Sequence, residues 1–385
     1  MSQYDRCSPN SACACFYIAG AIDIGICSDE FVDCSELVAC ERSDNRCDEP
    51  NHRCVYHPRC HNLPVCYPVP SFNQQLCPPK AIIPNIPANA QWAQDGLTVA
   101  GGHGFGNDTN QLKKPQGLAV DDNQTIVIAD SWNHRVIEWK MYDTHGQVVA
   151  GSHGQGSRLD QLHSPTDVLI DEETNSLIIC DRWNRRVLRL SRSSSTAQGE
   201  ILVDKIMCIG LAMDDQRYLY VSDDDRHEVR RYQIGDKNGT SVAGGHEQGD
   251  GLNQFNYAGY IFVDEQQAVY VSDSQNHRVM KWDKGAKEGI VVAGGHGSGS
   301  ALTQLYWPHG LFVDALGTLY VAEYGNHRVT RWSKGATKGT VIVGGNGEGE
   351  GTRQLNRPTG LAFDRYGNLY VAEWENNRVQ RFSIR

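Results

Sequence analysis

Histidine recurs in this chain at two fixed offsets. His103, His153, His246 and His296 each stand in a Gly-rich loop, while His134, His227, His277 and His327 each follow the first residue of a short Asn-His-Arg-Val motif or its variant. Imidazoles arrayed in a ring can hold zinc, so metal chemistry is the first to weigh. A residue present in most repeats, however, usually solves a problem common to all of them, such as satisfying turn backbone groups. The recurring acids Asp130, Asp181, Asp223, Asp273, Glu323 and Glu373 read the same way, as acceptors for turn amides or for the following Arg. Neither set calls for a metal or a cofactor. The Gly-rich loops lack the Lys-Ser/Thr of a P-loop and the βαβ setting of a dinucleotide fingerprint, so no phosphate site is expected.

Positions that do not repeat are better candidates for binding. One slot, at the start of the strand expected nearest the axis, reads Gln116, Thr166, Ile209, Gly259, His309 and Thr359. It offers one histidine, which cannot build a multi-histidine zinc site by itself. Asp167 stands where the neighbouring repeats have Gly117, Gly310 and Gly360, and a lone carboxylate falls short of the six to eight oxygens calcium takes. Gln116, Thr166, Thr359, His309 and Asp167 are therefore candidate ligand-binding residues, with no catalytic residue assigned. Tyr257 and Tyr260 join them, because the loop before the third repeat is short and should leave these rings exposed beside a groove. The three acids Asp223, Asp224 and Asp225 read as solvated turn residues.

The elements that carry these side chains follow from the repeat. The valines of the motif fall at 136, 187, 229, 279, 329 and 379, spaced by 51, 42, 50, 50 and 50 residues. An aspartate closes an apolar stretch before each: Asp121, Asp171, Asp214, Asp264, Asp314 and Asp364. A turn, an alternating strand such as Leu319-Tyr-Val-Ala-Glu323, the motif strand and a fourth strand such as Ile290-Val-Val-Ala-Gly294 complete each unit. Four short, evenly spaced strands per unit are the pattern of a propeller blade. The short second spacing reflects a missing Gly-rich loop before the third repeat, ten residues shorter than its counterparts.

Asn276-His277-Arg278-Val279 and its five counterparts resemble the NHL repeat family, across about three quarters of the chain. The resemblance implies an all-β, six-bladed propeller over 94–385 and leaves activity open. The last repeat ends after its third strand, and a fourth-type strand, Gly96-Leu-Thr-Val-Ala-Gly-Gly102, precedes the first; pairing the two would close the ring and remove its edges.

Upstream, residues 1–77 hold eleven of the thirteen cysteines: Cys7, Cys13, Cys15, Cys27, Cys34, Cys40, Cys47, Cys54, Cys60, Cys66 and Cys77. No Cys-x2-Cys knuckle occurs, and large aliphatics are scarce, so a disulfide-stapled module fits better than zinc. Residues 78–93, rich in proline, read as a stiff linker. Cys180 and Cys208 read by default as buried free thiols, with their neighbouring blades leaving a disulfide open to geometry. The module points to an extracellular protein; three glycosylation sequons at Asn107, Asn123 and Asn238 are compatible with secretion but arise often by chance and add little. No basic and apolar leader begins the chain; the odd cysteine count and this absence together suggest that an upstream portion is missing.

Three function classes follow. The net charge of −10 and the lack of any Lys/Arg run longer than two residues disfavour nucleic acid, and with it an intracellular NHL adaptor of RNA or ubiquitin pathways. A propeller enzyme resembling the peptidyl-hydroxyglycine amidating lyase, or a lactone hydrolase, would need an axial metal that the inner slot does not supply. An extracellular binding or scaffold protein is the remaining expectation, its partner a protein or small extracellular ligand. No apolar run is long enough to span a bilayer.

Overall fold

The computed structural model describes residues 86–192 and 199–385 throughout, residue 84, and, earlier in the chain, residues 13–18, 25–29, 37–39, 47, 52–56 and 65–68. The chain divides into two compact units, Met1–Ile82 and Ile83–Arg385.

The first unit contains a five-stranded sheet ordered Gly25–Asp29, Cys13–Ile18, His52–Tyr56, Val65–Pro68, Val38–Ala39, with every pairing antiparallel. Cys47 and Cys66 form a disulfide, and Cys54 is disulfide-bonded as well. The remaining disulfide assignments, at Cys7, Cys13, Cys15, Cys27, Cys34, Cys40, Cys60 and Cys77, fall on side chains outside the described residues.

The second unit is the six-bladed propeller. Six four-stranded antiparallel sheets follow one another, each running from an inner strand to an outer one. The inner strands are Pro115–Val120, Pro165–Asp171, Cys208–Met213, Ala258–Val263, Pro308–Val313 and Pro358–Phe363. Alternation along the second and third strands sends Val, Ile, Leu and Tyr into the layers between blades, where Val136, Val187, Val229, Val279, Val329 and Val379 are all fully buried. The motif valine is thus a core residue repeated because each interface needs it.

Leu97–Gly101 pairs with Arg378–Phe382 and completes the sixth blade, in the register Val379 to Ala100 and Arg381 to Leu97. The ring closes as the strand count required. The linker is shorter than expected: Ile86, Ala90 and Trp92 are buried against Tyr320, Phe363 and Phe382, and the Trp92 indole donates to the Gly367 carbonyl at 3.0 Å. Residues 86–93 therefore belong to the propeller, because an apolar Ile and Trp among the prolines gain more by packing than by spacing.

The aspartates that close the inner strands tie the hairpin to the second strand. Asp121 Oδ1 accepts the amides of Asn123 and Thr125, and Asp314 repeats the pattern with Leu316 and Thr318. The default reading of Cys180 and Cys208 as thiols needs correcting. They are bonded to each other, with Cα atoms 5.6 Å apart, and join the second strand of blade two to the inner strand of blade three.

Candidate binding face around the propeller axis

Two sets of turns meet on one face. In each blade the residue after the second-strand acid donates its amide, or that of the next residue, to the segment leading into the inner strand. Examples are Tyr324 to the Trp307 carbonyl at 3.0 Å, Trp374 to that of Arg357 at 3.1 Å and Trp132 to that of Lys113 at 3.1 Å. The segment ahead of each inner strand is kinked: Lys114, Ser164, Tyr257, Trp307 and Arg357 all have φ between 50 and 69°. Three of the four motif histidines hold these kinks. His134, His277 and His327 accept through Nδ1 the amides of Ser164, Trp307 and Arg357, at 3.0, 3.3 and 3.2 Å, each on the following blade. Asn377 does the same for Lys114 at 2.9 Å. This is why histidine recurs, and it leaves those rings engaged in blade-to-blade bonding. Among the described residues no group of three or more His, Cys, Asp or Glu is placed to hold a metal ion.

Around the axis these turns present a continuous aromatic arc over blades five, six and one. Ring centroids run from Tyr306 to Trp307 (5.4 Å), Trp307 to Tyr324 (6.0 Å), Tyr324 to Trp374 (5.7 Å) and Trp374 to Trp132 (6.2 Å). Trp307 and Trp132 remain 42% and 47% exposed, far above what core tryptophans show. Charges are laid over the rings. Lys114 Nζ sits 5.3 Å from the Trp374 centroid and pairs with Glu375. Arg357 lies 5.5 Å over Tyr324 and reaches the same Glu375 at 2.9 Å. Across the axis, Arg182 packs over Trp183 and Tyr257 and pairs with Asp224 at 3.0 Å. The three consecutive acids of blade three are each paired, Asp223 with Arg226, Asp224 with Arg182 and Asp225 with Arg185.

The candidates read from the sequence fall into two groups. His309 is half-buried and stacked on Tyr324, with centroids 4.8 Å apart and planes at 18°. It therefore belongs to the arc. Gln116 is half-buried and directs Nε2 toward Ser131 Oγ at 3.4 Å. Thr166 and Thr359 are fully buried and spend their hydroxyls on carbonyls of the next blade, Cys208 and Pro115. Asp167 and Tyr260 occupy a slot that is otherwise glycine, where a Cβ on Gly310 or Gly360 would strike the adjoining backbone. Asp167 is buried and accepts the amides of Val168 and Leu211 at 3.0 and 2.9 Å. The Tyr260 hydroxyl donates across from blade four to the Thr166 carbonyl of blade two at 3.3 Å. Tyr260, expected exposed, is only 7% exposed, and Tyr257 is half-buried beneath Arg182. The physical reason is the slot: inner strands converge there, so a ring entering it is enclosed whatever the length of the nearby loop.

The arc itself was not anticipated. The signal for two of its rings, Tyr324 and Trp374, lay in the position after the second-strand acid, which reads Ser131, Arg182, Asp224, Ser274, Tyr324 and Trp374 and never repeats around more than two blades.

Burial pushes the Asp167 carboxyl up to about 7 despite its two amide donors, and burial pushes His309 down to about 4. The two oppose each other in pH. An acid raised in the fold favours the folded state at low pH and loses that contribution as pH rises from about 4 to 7. A histidine depressed in the fold contributes stability that is lost as pH falls from about 6.5 toward 4. Melting curves should separate them. Relative to the parent, Asp167→Asn should gain several degrees between pH of about 4.5 and 7.5, and His309→Phe should lose ground over the same interval. Parallel difference curves would show that neither group titrates there.

With this geometry in place, comparison with known proteins identifies the class. The NHL repeat model matches residues 112–138, 305–332 and 355–382, the segments of blades one, five and six that carry the arc. The chain carries NHL repeats, matched three times, within a six-bladed β-propeller. Among solved structures, a structural genomics protein of unknown function from Bacteroides thetaiotaomicron superposes over 100% of both chains, with a TM-score of 0.63 and 14% identity. An auxiliary nutrient binding protein from the same organism covers 77% of each chain at a TM-score of 0.59 and 16% identity. Another auxiliary nutrient binding protein, from Bacteroides ovatus, covers 84% of this chain and 86% of its own at 0.57 and 12%. At such identities the likeness is one of fold. No curated protein matches by sequence.

Proposed function

We propose that the chain is an extracellular binding protein that recognises a protein or small ligand with the loop-bearing face of its propeller. The aromatic arc from Tyr306 to Trp132 carries this reading. Exposed indoles packed edge to edge around the propeller axis, interleaved with Lys114, Arg357 and Glu375, have the composition of recognition sites, where aromatic and Arg side chains supply most of the affinity. Two solved structures of this fold are named nutrient binding proteins, which fits a binding role. The disulfides Cys47–Cys66 and Cys180–Cys208 fit an oxidising compartment. No helix among the described residues is long and apolar enough to cross a membrane.

The enzyme alternative is supported less. Asp167, the group with the most useful proton affinity, has both oxygens occupied by backbone amides, and His309 is stacked and neutral rather than paired with an acid. The test is an array of extracellular oligosaccharides and peptides, with each hit re-measured on variants. Trp307→Ala and Trp374→Ala should each weaken binding by tenfold or more, about 1.4 kcal/mol. Tyr366→Ala, at a hairpin on the opposite face, should leave it unchanged. Hits indifferent to both tryptophans would end the assignment of this face.

A further inference from the structure

In five blades a Gly-rich loop is seated by the motif Asn and Arg, and in four of them by a third donor as well. The motif Asn donates to one loop carbonyl, as Asn326 does to Gly299 at 2.8 Å. The motif Arg donates to others, as Arg278 does to Asp250, Gly251 and Gln254. The third donor is a hairpin glycine amide, as Gly339 donates to the Leu302 carbonyl at 2.7 Å. Blade three has lost the loop and the seating residues together: Asn has become Arg226 and Arg has become Glu228, while Gly239 remains in place of Gly339. Two residues on, where other blades bury Ile137, Leu188, Met280 or Thr330, stands Arg230.

What remains is a groove of about 720 Å³ between the outer strand of blade two and the third strand of blade three. Its wall carries Lys205, Arg226, Arg230 and Lys237 against one acid, Asp204. Arg230 is held by Glu228 at 2.7 Å and by the Gly239 carbonyl, so it shapes the floor. Arg226 pairs with Asp223 yet is 54% exposed. Lys205 and Lys237 are exposed and have no ion-pair partner among the described residues.

We propose that this groove is a second binding site, a docking seat for an extended acidic peptide segment of a partner protein. Internal repetition argues for a peptide, because the equivalent seats in the other five blades are filled by a loop of the protein's own chain. The exchange of an amide and a buried Arg for an exposed cationic wall argues for acidity, since the wall now offers charge where the loop offered carbonyls. The seat lies on the flank of the propeller and is separate from the aromatic arc, so it stands whether or not the arc binds as proposed.

The experiment uses the full chain and two synthetic peptides copied from its own loops. One has the sequence of residues 345–355 with Arg353→Gln, which leaves two glutamates; the other is the uncharged-acid counterpart, residues 295–305. Calorimetric titration should show the acidic peptide binding at least tenfold more tightly, with affinity falling as salt rises. Lys205→Glu combined with Lys237→Glu should abolish that difference at an unchanged melting temperature. Lys284→Glu combined with Lys287→Glu, on the matching hairpin of blade four, should leave it intact. Equal binding of both peptides, no binding of either, or retention of the preference in the blade-three variant overturns the proposal. Binding of a heparin oligosaccharide without binding of the acidic peptide overturns it too, in favour of an anionic saccharide.

Discussion

A chain beginning at residue 102 should not yield a folded monomer, whereas one beginning at residue 84 should melt within a few degrees of the parent. The shorter chain loses Leu97–Gly101, and with it the only partner of the Arg378–Phe382 strand on that side. Five residues of ladder are lost, but the larger cost lies in what they cover. Ala100 is buried, and the preceding segment places Trp92 and Ile86 in the core of blades five and six. Burying such side chains is worth roughly 1.5–3 kcal/mol each, so their removal alone exhausts much of the 5–15 kcal/mol that a domain typically has. The polar latch goes as well: Gln94 to the Ile342 carbonyl, Gly96 to that of Thr352, and Arg353 to Asp95. An exposed third strand in a blade with no fourth is a template for pairing with another chain. Size-exclusion chromatography should therefore show aggregates or swapped oligomers. Adding a peptide of residues 86–101 in trans should restore monomer by strand addition. A soluble, cooperative monomer from residue 102 would mean that the ring does not depend on closure.

The closing strand was legible because a missing fourth strand at one end and a surplus one at the other can be counted. The blades were legible for the same reason, since a repeat announces its core valines and turn acids by recurrence. Recurrence is a poor guide to the site. It drew attention to histidines whose Nδ1 atoms only hold the next blade's kink, and away from Tyr324, Trp374 and Trp132, which lie one or two residues beyond a repeated acid. The inner slot groups its residues by position alone, yet Thr166 and Thr359 turn their hydroxyls onto backbone carbonyls while His309 stacks on Tyr324 of the arc. Which way a residue points there depends on its neighbour in the ring, a contact at a separation of about one blade that spacing alone does not encode. Blade three shows the opposite case. The loss of its loop was visible in the 42-residue interval, and the change to Arg226 and Glu228 was visible in the motif, but only the seat's geometry connects them.

Arg278→Met should be the most damaging single substitution on the loop-bearing face. The guanidinium is nearly inaccessible, bonds Asp273 at 2.7 Å, and donates to three carbonyls of the 245–256 loop at 2.7, 2.8 and 3.1 Å. Asp273 is completely buried, and burial holds its carboxyl above the usual range even beside Asn276, Asn256 and Arg278. Met fills much of the volume but leaves an unpaired buried charge and three carbonyls without donors. Breaking a buried pair from one side typically costs about 3–5 kcal/mol, which for a domain of this size is a fall of roughly 10 °C in Tm. The loop should loosen before the blade does, so limited proteolysis should cut first within residues 245–256. The charge and the carbonyls can be told apart. Adding Asp273→Asn to Arg278→Met removes the stranded charge and should recover part of the lost Tm, while the loop stays cleavable. If the double variant is no more stable than the single one, the damage comes from the orphaned carbonyls. In that case the Arg acts chiefly as the loop's seat, and its replacement by Glu228 in the one blade without a loop follows directly from having nothing left to hold.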